Sequence, residues 1–335
     1  MKYYVGHPLQ ARGAEVYRLQ GGKGDGMRFL YVRNGLGLEL WISLDRAADM
    51  NRVIYKGKNM AYMSPCGNVA PTFRDPVGLG FLKSFTAGFM TTCGFESAGG
   101  PCEDEGEVLP QHGSISHVPA QLNGIEETDE GLVIKTTVRD CVIFGRRMVL
   151  QRVYTVSYTE DTFTMTDTVT NEGAKEAPFC LLYHCNMGYP LLSENSVVRI
   201  PNTRIWASSQ LSQDTVDTAL IMEKPQVDYE ERCYFYDAME QKDGNVHAGI
   251  YNPDIDAGVV YSYAKKDLPC LTEWKMMGRR DYVLGIEPGN VNPAPRCKQR
   301  ADGLLPFLQP EESNTKSITF TFVDNQDDFD SAFYK

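Results

Sequence analysis

The 335-residue chain has no apolar run near the ~18 residues that a membrane-spanning helix needs. Its first eight residues, Met1-Lys-Tyr-Tyr-Val-Gly-His-Pro8, lack the apolar centre of a signal peptide. Basic residues are not clustered, and 33 Lys and Arg stand against 44 Asp and Glu, a formal net charge of -11. These absences predict a soluble, cytoplasmic protein that binds neither nucleic acid nor anionic membranes.

Several catalytic and binding motifs are also missing. None of the nine cysteines forms a C-x-x-C pair, which excludes a zinc ribbon and a thioredoxin motif. Scattered, odd-numbered cysteines fit a reducing compartment. Neither G-x-S-x-G nor G-x-x-x-x-G-K-S/T occurs, so the sequence predicts neither a serine nucleophile elbow nor a phosphate loop.

Strand periodicity is what the sequence contains in abundance. Residues 162–170 alternate well, with Phe163, Met165 and Val169 on one face, as in a half-buried antiparallel strand. About sixteen short runs of this kind follow one another, and only residues 217–223 look helical. The pattern predicts an all-β fold of two large antiparallel sheets packed face to face, as one domain over residues 1–335.

Residues 64–117 are rich in Gly and Pro and show few clean strands. A loop-rich segment of this length in a compact domain is usually functional. It contains Pro110-Gln111-His112-Gly113, where the glycine permits a close backbone approach. The alternative is a large cover over one sheet face, with His112 as an ordinary loop histidine.

The stretch 179–192 is predicted to be a buried strand that ends in a Gly/Pro turn. It carries His184 and Asn186, so that an amide and a constrained turn would hold an imidazole at the mouth of an apolar strand. His184 is therefore a candidate catalytic residue, and Asn186 is a candidate substrate-binding residue. The alternative is a core histidine with satisfied hydrogen bonds.

Glu287 ends a second apolar strand, Tyr282 to Ile286, directly before Pro288. Proline restricts the preceding residue to extended conformations, which fixes where the carboxylate starts. Desolvation at an apolar strand end would raise the pKa of this carboxyl group and suit it to general-base catalysis. The alternative is an exposed strand terminus.

Other candidates rest on weaker patterns. Arg46 could contact a substrate or form an ion pair with Asp49, and Lys275, beside Trp274, could donate a hydrogen bond to a sugar. His112 and His117 are five apart and would need a turn to bind one metal ion, so no metal site is predicted.

Together, these motifs resemble those of the aldose 1-epimerase (galactose mutarotase-like) superfamily, in particular a less characterised branch of it. The resemblance spans roughly residues 14–323 and rests on four segments: Pro110–Gly113, Leu182–Leu192, Trp274-Lys275 and Gly285–Asn290. It implies a β-supersandwich with a sugar-binding groove on one sheet.

The resemblance also implies a mechanism. Glu287 would take the proton of the anomeric hydroxyl, His184 would protonate the ring oxygen, and His112 would bind the sugar near that oxygen; no cofactor is required. The better known mutarotases have His-Pro-Tyr-Phe-Asn where this chain has His184-Cys185-Asn186-Met187, which leaves the sugar open.

The expected function is therefore aldose 1-epimerase activity on a small-molecule sugar, by a monomer or homodimer. One alternative is a non-catalytic carbohydrate-binding domain, and another is an epimerase or isomerase of a modified sugar. An anionic sugar is open as well, because several basic residues could bind one or could be surface charges: Arg46, Lys275, Arg279, Arg280 and Arg296.

Overall fold

A computed structural model of the protein describes residues 3–334. Strands hold 48% of the residues and helices 11%. In the first part of the chain the strands are β1 (Gly13–Arg18), β2 (Arg28–Arg33), β3 (Leu38–Ser43), β4 (Asp49–Tyr55), β5 (Lys58–Asn59), β6 (Tyr62–Met63), β7 (Ala87–Gly88), β8 (Met90–Phe95), β9 (Cys102–Asp104), β10 (Glu107–Leu109), β11 (Ala120–Glu127) and β12 (Gly131–Cys141).

The remaining strands are β13 (Arg147–Ser157), β14 (Thr162–Asn171), β15 (Ala177–Pro178), β16 (Cys180–Met187), β17 (Val197–Arg199), β18 (Asn202–Ala207), β19 (Arg232–Ala238), β20 (Asn245–Asn252), β21 (Ala257–Ala264), β22 (Cys270–Met277), β23 (Tyr282–Gly289), β24 (Phe307–Leu308) and β25 (Ser313–Val323). The α-helices are α1 (Gln210–Gln213), α2 (Arg296–Ala301) and α3 (Gln326–Ser331). Single turns of 3-10 helix lie at Pro8–Gln10, Gly22–Gly24, Pro71–Phe73, Gly80–Lys83, Ile115–His117, Val216–Thr218 and Ala332–Tyr334.

Two large antiparallel sheets form the body of the fold. One has eight strands in the order β11-β12-β13-β14-β25-β21-β20-β17, and the other has six in the order β18-β19-β22-β23-β16-β8. A third sheet has five strands, β1 to β5, in chain order. The prediction of an all-β fold of large antiparallel sheets is confirmed.

A buried ionic network connects the three sheets. Arg152 of β13 is fully buried and donates to Asp167 on its own sheet, to the hydroxyl of Thr92 on β8 and to Asp49 on β4. The Tyr183 hydroxyl of β16 donates to the same Asp167 carboxylate at 2.8 Å. Because a buried charge is tolerated only when it is paired, this network fixes which faces of the sheets meet.

Tyr183 also decides where its neighbours point. Successive side chains of a strand face opposite sides, so Tyr183 and Cys185 point into the core between the sheets. His184 must then project from the outer face of the six-stranded sheet. On that face it meets the loop-rich segment 64–117, whose Phe81 and Phe85 pack in a second apolar cluster.

The helix predicted over residues 217–223 is largely absent. Only one 3-10 turn, Val216–Thr218, forms there. The ammonium group of Lys275 takes the carbonyls of Thr218 and Ile221 as hydrogen-bond acceptors. The Thr218 carbonyl also accepts from the N–H of Ile221, an i to i+3 bond in place of the i to i+4 bond of an α-helix.

Candidate active site

The candidate catalytic residues lie on one rung across the six-stranded sheet. Strands β16 and β23 pair with Leu182 opposite Gly289 and Asn186 opposite Gly285, which places His184 opposite Glu287 between those pairs. Directly paired residues on one face of an antiparallel sheet have Cβ atoms about 4.5–5.5 Å apart. Sheet pairing alone therefore brings together two residues that are about a hundred positions apart in the chain.

The same rung continues into the next strands. Glu287 pairs with Thr272 of β22, and Thr272 pairs with Phe235 of β19. On the neighbouring rung, Trp274 lies between Gly285 and Cys233. These outward-facing side chains form the floor of a cavity.

The cavity has a volume of about 210 Å³. Its roof comes from the loop-rich segment, which contributes Phe81, Phe85 and His112. The full set of lining residues is Phe81, Leu82, Phe85, Gly99, Gly100, Gln111, His112, His184, Ser208, Glu231, Cys233, Phe235, Thr272, Trp274, Glu287 and Pro293. The loop-rich segment thus both covers the sheet face and supplies a site residue.

His184 has one hydrogen-bond partner, lies beside a carboxyl group and is surrounded by aromatic rings. Its Nδ1 lies 2.6 Å from Oδ1 of Asn186 and 3.1 Å from Oε1 of Glu287. The Asn186 amide nitrogen donates to the carbonyls of Gly88 and His184, so its oxygen must face the ring. An amide oxygen only accepts, and Nδ1 therefore carries a hydrogen.

The rings of Phe85 and Trp274 stand edge-on to the His184 imidazole, each with its centroid 5.1 Å away. This apolar surrounding keeps water from the ring. Burial and the nearby His112 lower the pKa of His184 to about 3, against a smaller opposing effect of the Asn186 hydrogen bond.

His112 is fixed by its backbone and by its ring. Its N–H donates to Gly99, its carbonyl accepts from Gly94, and its φ of 56° is unusual for a residue with a side chain. Its Nδ1 donates to the carbonyl of Ala98 at 2.8 Å, which leaves Nε2 as an acceptor in the neutral ring. Burial lowers the pKa of His112 to about 4, so this ring is neutral near pH 7.

The pKa of Glu287 is shifted in the opposite direction. Burial raises the pKa of its carboxyl group well above the usual range, and the negative charge of Glu231 adds to this effect. Glu231 is an exposed residue at the rim of the cavity, where it accepts a hydrogen bond from the Trp274 indole at 2.9 Å. The site therefore contains a carboxyl group with a raised pKa beside an imidazole with a lowered one.

Three buried polar atoms of the cavity residues have no hydrogen-bond partner: Oε1 of Gln111, Oγ1 of Thr272 and Oε1 of Glu287. Leaving such a group unpaired costs about 1–3 kcal/mol. All three atoms are closed off from solvent, so a ligand hydroxyl would reach them only after a side-chain rotation. The lining places such polar groups beside the apolar faces of Phe81, Phe85 and Trp274, which suits a small molecule with hydroxyl groups and an apolar face.

The structure brings His184, Glu287 and His112 together, and Asn186 stands behind His184. It does not bring Arg46 or Lys275 into the cavity. The Arg46 guanidinium is buried and donates to the backbone carbonyls of Ser116, Val69 and Ser84. It therefore shapes the loop-rich segment instead of facing this cavity.

Lys275 follows Trp274 on β22 and so faces the opposite side of the sheet. Its side chain is fully buried, lies 3.4 Å from Glu223 and donates to Thr218 and Ile221. Period-two alternation could have shown from the sequence that Trp274 and Lys275 cannot share a face. Thr272, which the sequence reasoning missed, lies two residues before Trp274, on the same face.

No group of three or more His, Cys, Asp or Glu side chains that could hold a metal ion occurs among residues 3–334. His117, considered above beside His112, instead lies 2.9 Å from the hydroxyl of Ser84 through Nε2. In the same part of the chain, no helix has the length and apolarity to cross a membrane.

A family model described as a domain of unknown function, DUF4432, matches residues 24–322. The chain belongs to the DUF4432 family. Among curated proteins, none matches it.

Solved structures place this DUF4432 protein in the galactose mutarotase-like fold. A candidate aldose 1-epimerase from Klebsiella pneumoniae superimposes with a TM-score of 0.88 at 24% identity, over 96% of this chain and 85% of that one. A galactose mutarotase-like protein from Clostridium acetobutylicum has a TM-score of 0.68 at 14% identity, over 94% of this chain and 99% of that one. Another from Lactobacillus casei has a TM-score of 0.57 at 14% identity, over 92% of this chain and 100% of that one. At these identities, the likeness establishes the fold.

Proposed function

We propose that this DUF4432 protein is an aldose 1-epimerase that interconverts the α and β anomers of a free sugar in the 210 Å³ cavity. The observation that carries the proposal is the pairing of His184 with Glu287 on one rung, with Nδ1 and Oε1 3.1 Å apart. Mutarotation needs two groups that exchange protons with the anomeric hydroxyl and the ring oxygen, which are bonded to the same carbon. A rigid sheet rung holds two such groups at a fixed separation.

The His184–Glu287 pair can hold its protons in two forms without net charge. Burial favours a neutral carboxyl group and a neutral imidazole. The short approach favours a carboxylate and an imidazolium, because their attraction offsets part of the desolvation cost. The second form is the reactive one.

In the reactive form, Glu287 takes the proton of the anomeric hydroxyl while His184 gives a proton to the ring oxygen. The bond between C1 and the ring oxygen breaks, and C1 becomes an aldehyde carbon. Rotation about C1–C2 turns the other face of the aldehyde toward the ring oxygen. Closure reverses both proton transfers and restores the pair, so atoms, charge and electrons balance.

The test is anomer interconversion, measured by polarimetry or NMR across a panel of free aldoses that includes deoxy sugars. We expect wild type to accelerate the reaction, and Glu287→Gln and His184→Ala each to lower kcat about 100-fold or more. Glu273→Gln is the matched control, since Glu273 is a buried carboxyl group one residue from Thr272 that faces Tyr236 on the opposite side of the sheet. Binding of sugars without acceleration would instead support a carbohydrate-binding domain.

A further inference from the structure

A second cavity, with a volume of about 370 Å³, adjoins the candidate active site. Both cavities share four lining residues: Leu82, Phe85, Glu231 and Trp274. Leu82 is 53% exposed, so the boundary between the two cavities is open on its solvent side. We name this second cavity the side trough; its other lining residues are Tyr62, Ser64, Pro65, Cys66, Met276, Asp281 and Val283.

The surfaces of the side trough suit a sugar ring. Tyr62 and Trp274 offer aromatic faces, and Pro65, Met276 and Val283 add aliphatic surface. Sugars present C–H faces that pack on such rings and hydroxyl edges that need hydrogen-bond partners. The Asp281 and Glu231 carboxylates supply acceptors at its edge.

The charged groups that line the two cavities restrict which ligands can occupy both at once. Among the residues described, their linings contain the carboxyl groups of Glu287, Glu231 and Asp281 and no lysine or arginine. Of the cations beside these linings, Lys83 lies 2.6 Å from Asp75 and Arg232 lies 3.4 Å from Glu223, while Arg280, which precedes Asp281, lines a different cavity. Within the two linings, a phosphate or carboxylate on the ligand would meet only negative formal charge.

We infer that the side trough binds a second, uncharged sugar unit, so that the substrate class is reducing oligosaccharides. This inference rests on the proposed function. The reducing-end ring lies in the catalytic cavity, beside His184 and Glu287, and its neighbour lies over Tyr62 and Trp274. The link leaves from a hydroxyl other than the anomeric one, which must stay free for ring opening, and the reaction leaves the glycosidic bond intact.

The catalytic cavity alone is small for the role of a complete ligand site. Its 210 Å³ lies below the range of about 300–1,000 Å³ common for ligand pockets. With the 370 Å³ of the side trough, the combined space falls within that range. Two rings would therefore bury more surface than one and bind more tightly.

The test compares kcat/KM for glucose, mannose and xylose with that for cellobiose, mannobiose and xylobiose, with laminaribiose and gentiobiose to vary the linkage. We expect kcat/KM for at least one disaccharide to exceed that for its monosaccharide about tenfold. Additional contacts that stabilise the bound state by about 1.4 kcal/mol would give this ratio. Cys66→Trp fills the side trough and should remove this preference while leaving the monosaccharide rate unchanged. Cys141→Trp is the matched control, because Cys141 is an exposed thiol at the end of β12, outside both cavities.

A second variant guards against misfolding of Cys66→Trp. Tyr62→Ala removes an aromatic face without filling the space, and it should lower the disaccharide preference several-fold. The inference would be overturned if wild type had a kcat/KM for monosaccharides equal to or above that for every disaccharide. It would also be overturned if the variants lowered the monosaccharide and disaccharide rates equally.

Equilibrium binding separates this inference from the proposed function. If no sugar is interconverted, the same disaccharides are titrated and followed by NMR. Disaccharide binding that Cys66→Trp removes and Cys141→Trp retains would support the side trough while the catalytic proposal fails. Absence of disaccharide binding would overturn the inference.

Discussion

Oε1 of Glu287 lies in the space that a side chain at Gly285 would occupy. A Cβ atom at Gly285 would overlap that oxygen and would lie 3.0 Å from the Cβ of Trp274. Gly285 and Glu287 both belong to β23, two positions apart, and therefore lie on the same face of the sheet. The absence of a side chain at Gly285 makes room for the Glu287 carboxylate on the floor of the catalytic cavity.

Gly285→Ala should displace the Glu287 carboxylate without unfolding the strand. A shift of about 1 Å in a catalytic group can cost about 100-fold in rate, and we expect a loss of kcat of about 10- to 100-fold. The measurement is anomer interconversion beside circular dichroism of the fold. Gly124→Ala is the matched control, since a Cβ at Gly124 of β11 meets no atom within 4 Å. Full activity in Gly285→Ala would argue against Glu287 as the base in the observed position.

Asn186 positions His184 without lining the cavity. Asn186→Ala removes the acceptor 2.6 Å from Nδ1, so we expect kcat to fall about tenfold with little change in KM. Asn186→Asp should instead raise the pKa of His184, because a carboxylate stabilises the imidazolium. Its pH–rate profile should therefore shift to higher pH on the limb that reports the acid. A merely structural role would lower activity in both variants without moving that limb.

Glu231 sets part of the pKa shift of Glu287. In Glu231→Gln the like charge is gone, so the pKa of Glu287 should fall toward its usual value. Because the pKa of Glu287 lies above that of His184, the alkaline limb of the kcat/KM profile follows Glu287, and this limb should move to lower pH in the variant. Because Glu231 is exposed, salt should shrink the difference between wild type and variant. Glu230→Gln, at the exposed neighbouring position, is the control and should leave the profile in place.

Burial of Glu287 should cost stability. Its pKa is raised in the folded state, so above its unfolded value, 4.5, the unfolded chain releases a proton that the folded chain keeps. The free energy of unfolding therefore falls as pH rises from that value toward the folded pKa. Glu287→Gln removes this dependence and should be more stable than wild type by on the order of 1 kcal/mol in mildly alkaline buffer.

Urea unfolding over a range of pH measures this effect. The gap between variant and wild type should widen with rising pH and nearly vanish below the unfolded pKa, where both states hold the proton. A gap that stays constant with pH would show that the carboxyl group titrates alike in both states.

Much of the candidate site follows from local sequence. The sequence predicts that two apolar strands carry polar groups on a rigid support, one at His184-x-Asn186 and one at Glu287-Pro288. The structure corrects only the strand ends, since β16 continues to Met187 and β23 to Gly289. Pro288 restricts the backbone of Glu287, and alternation along β16 restricts the direction of the His184 side chain. Both restrictions act before any tertiary contact forms. The sequence could also have separated Lys275 from Trp274, since adjacent strand residues face opposite sides.

Other features had no local signal. Arg46 has no distinguishing neighbours, and three backbone carbonyls from distant loops decide that it is structural. Thr272 and Glu231 enter the site because β22 and the segment before β19 lie beside β23. Hydrogen bonding between strands depends on long-range order that periodicity does not encode.

Local sequence was enough to predict the fold class, most of the long strands and the presence of His184 and Glu287 on apolar strands, because hydrophobic periodicity and turn residues act locally. It did not predict β8, which lies inside the loop-rich segment, or the continuation of β16 and β23 past His184 and Glu287. Tertiary structure alone decided that these two residues share a rung, that His112 closes the cavity above them and that a side trough opens next to it. The reason is physical: strand order, and with it the contact between residues far apart in the chain, is set by which faces bury together around Arg152 and the core.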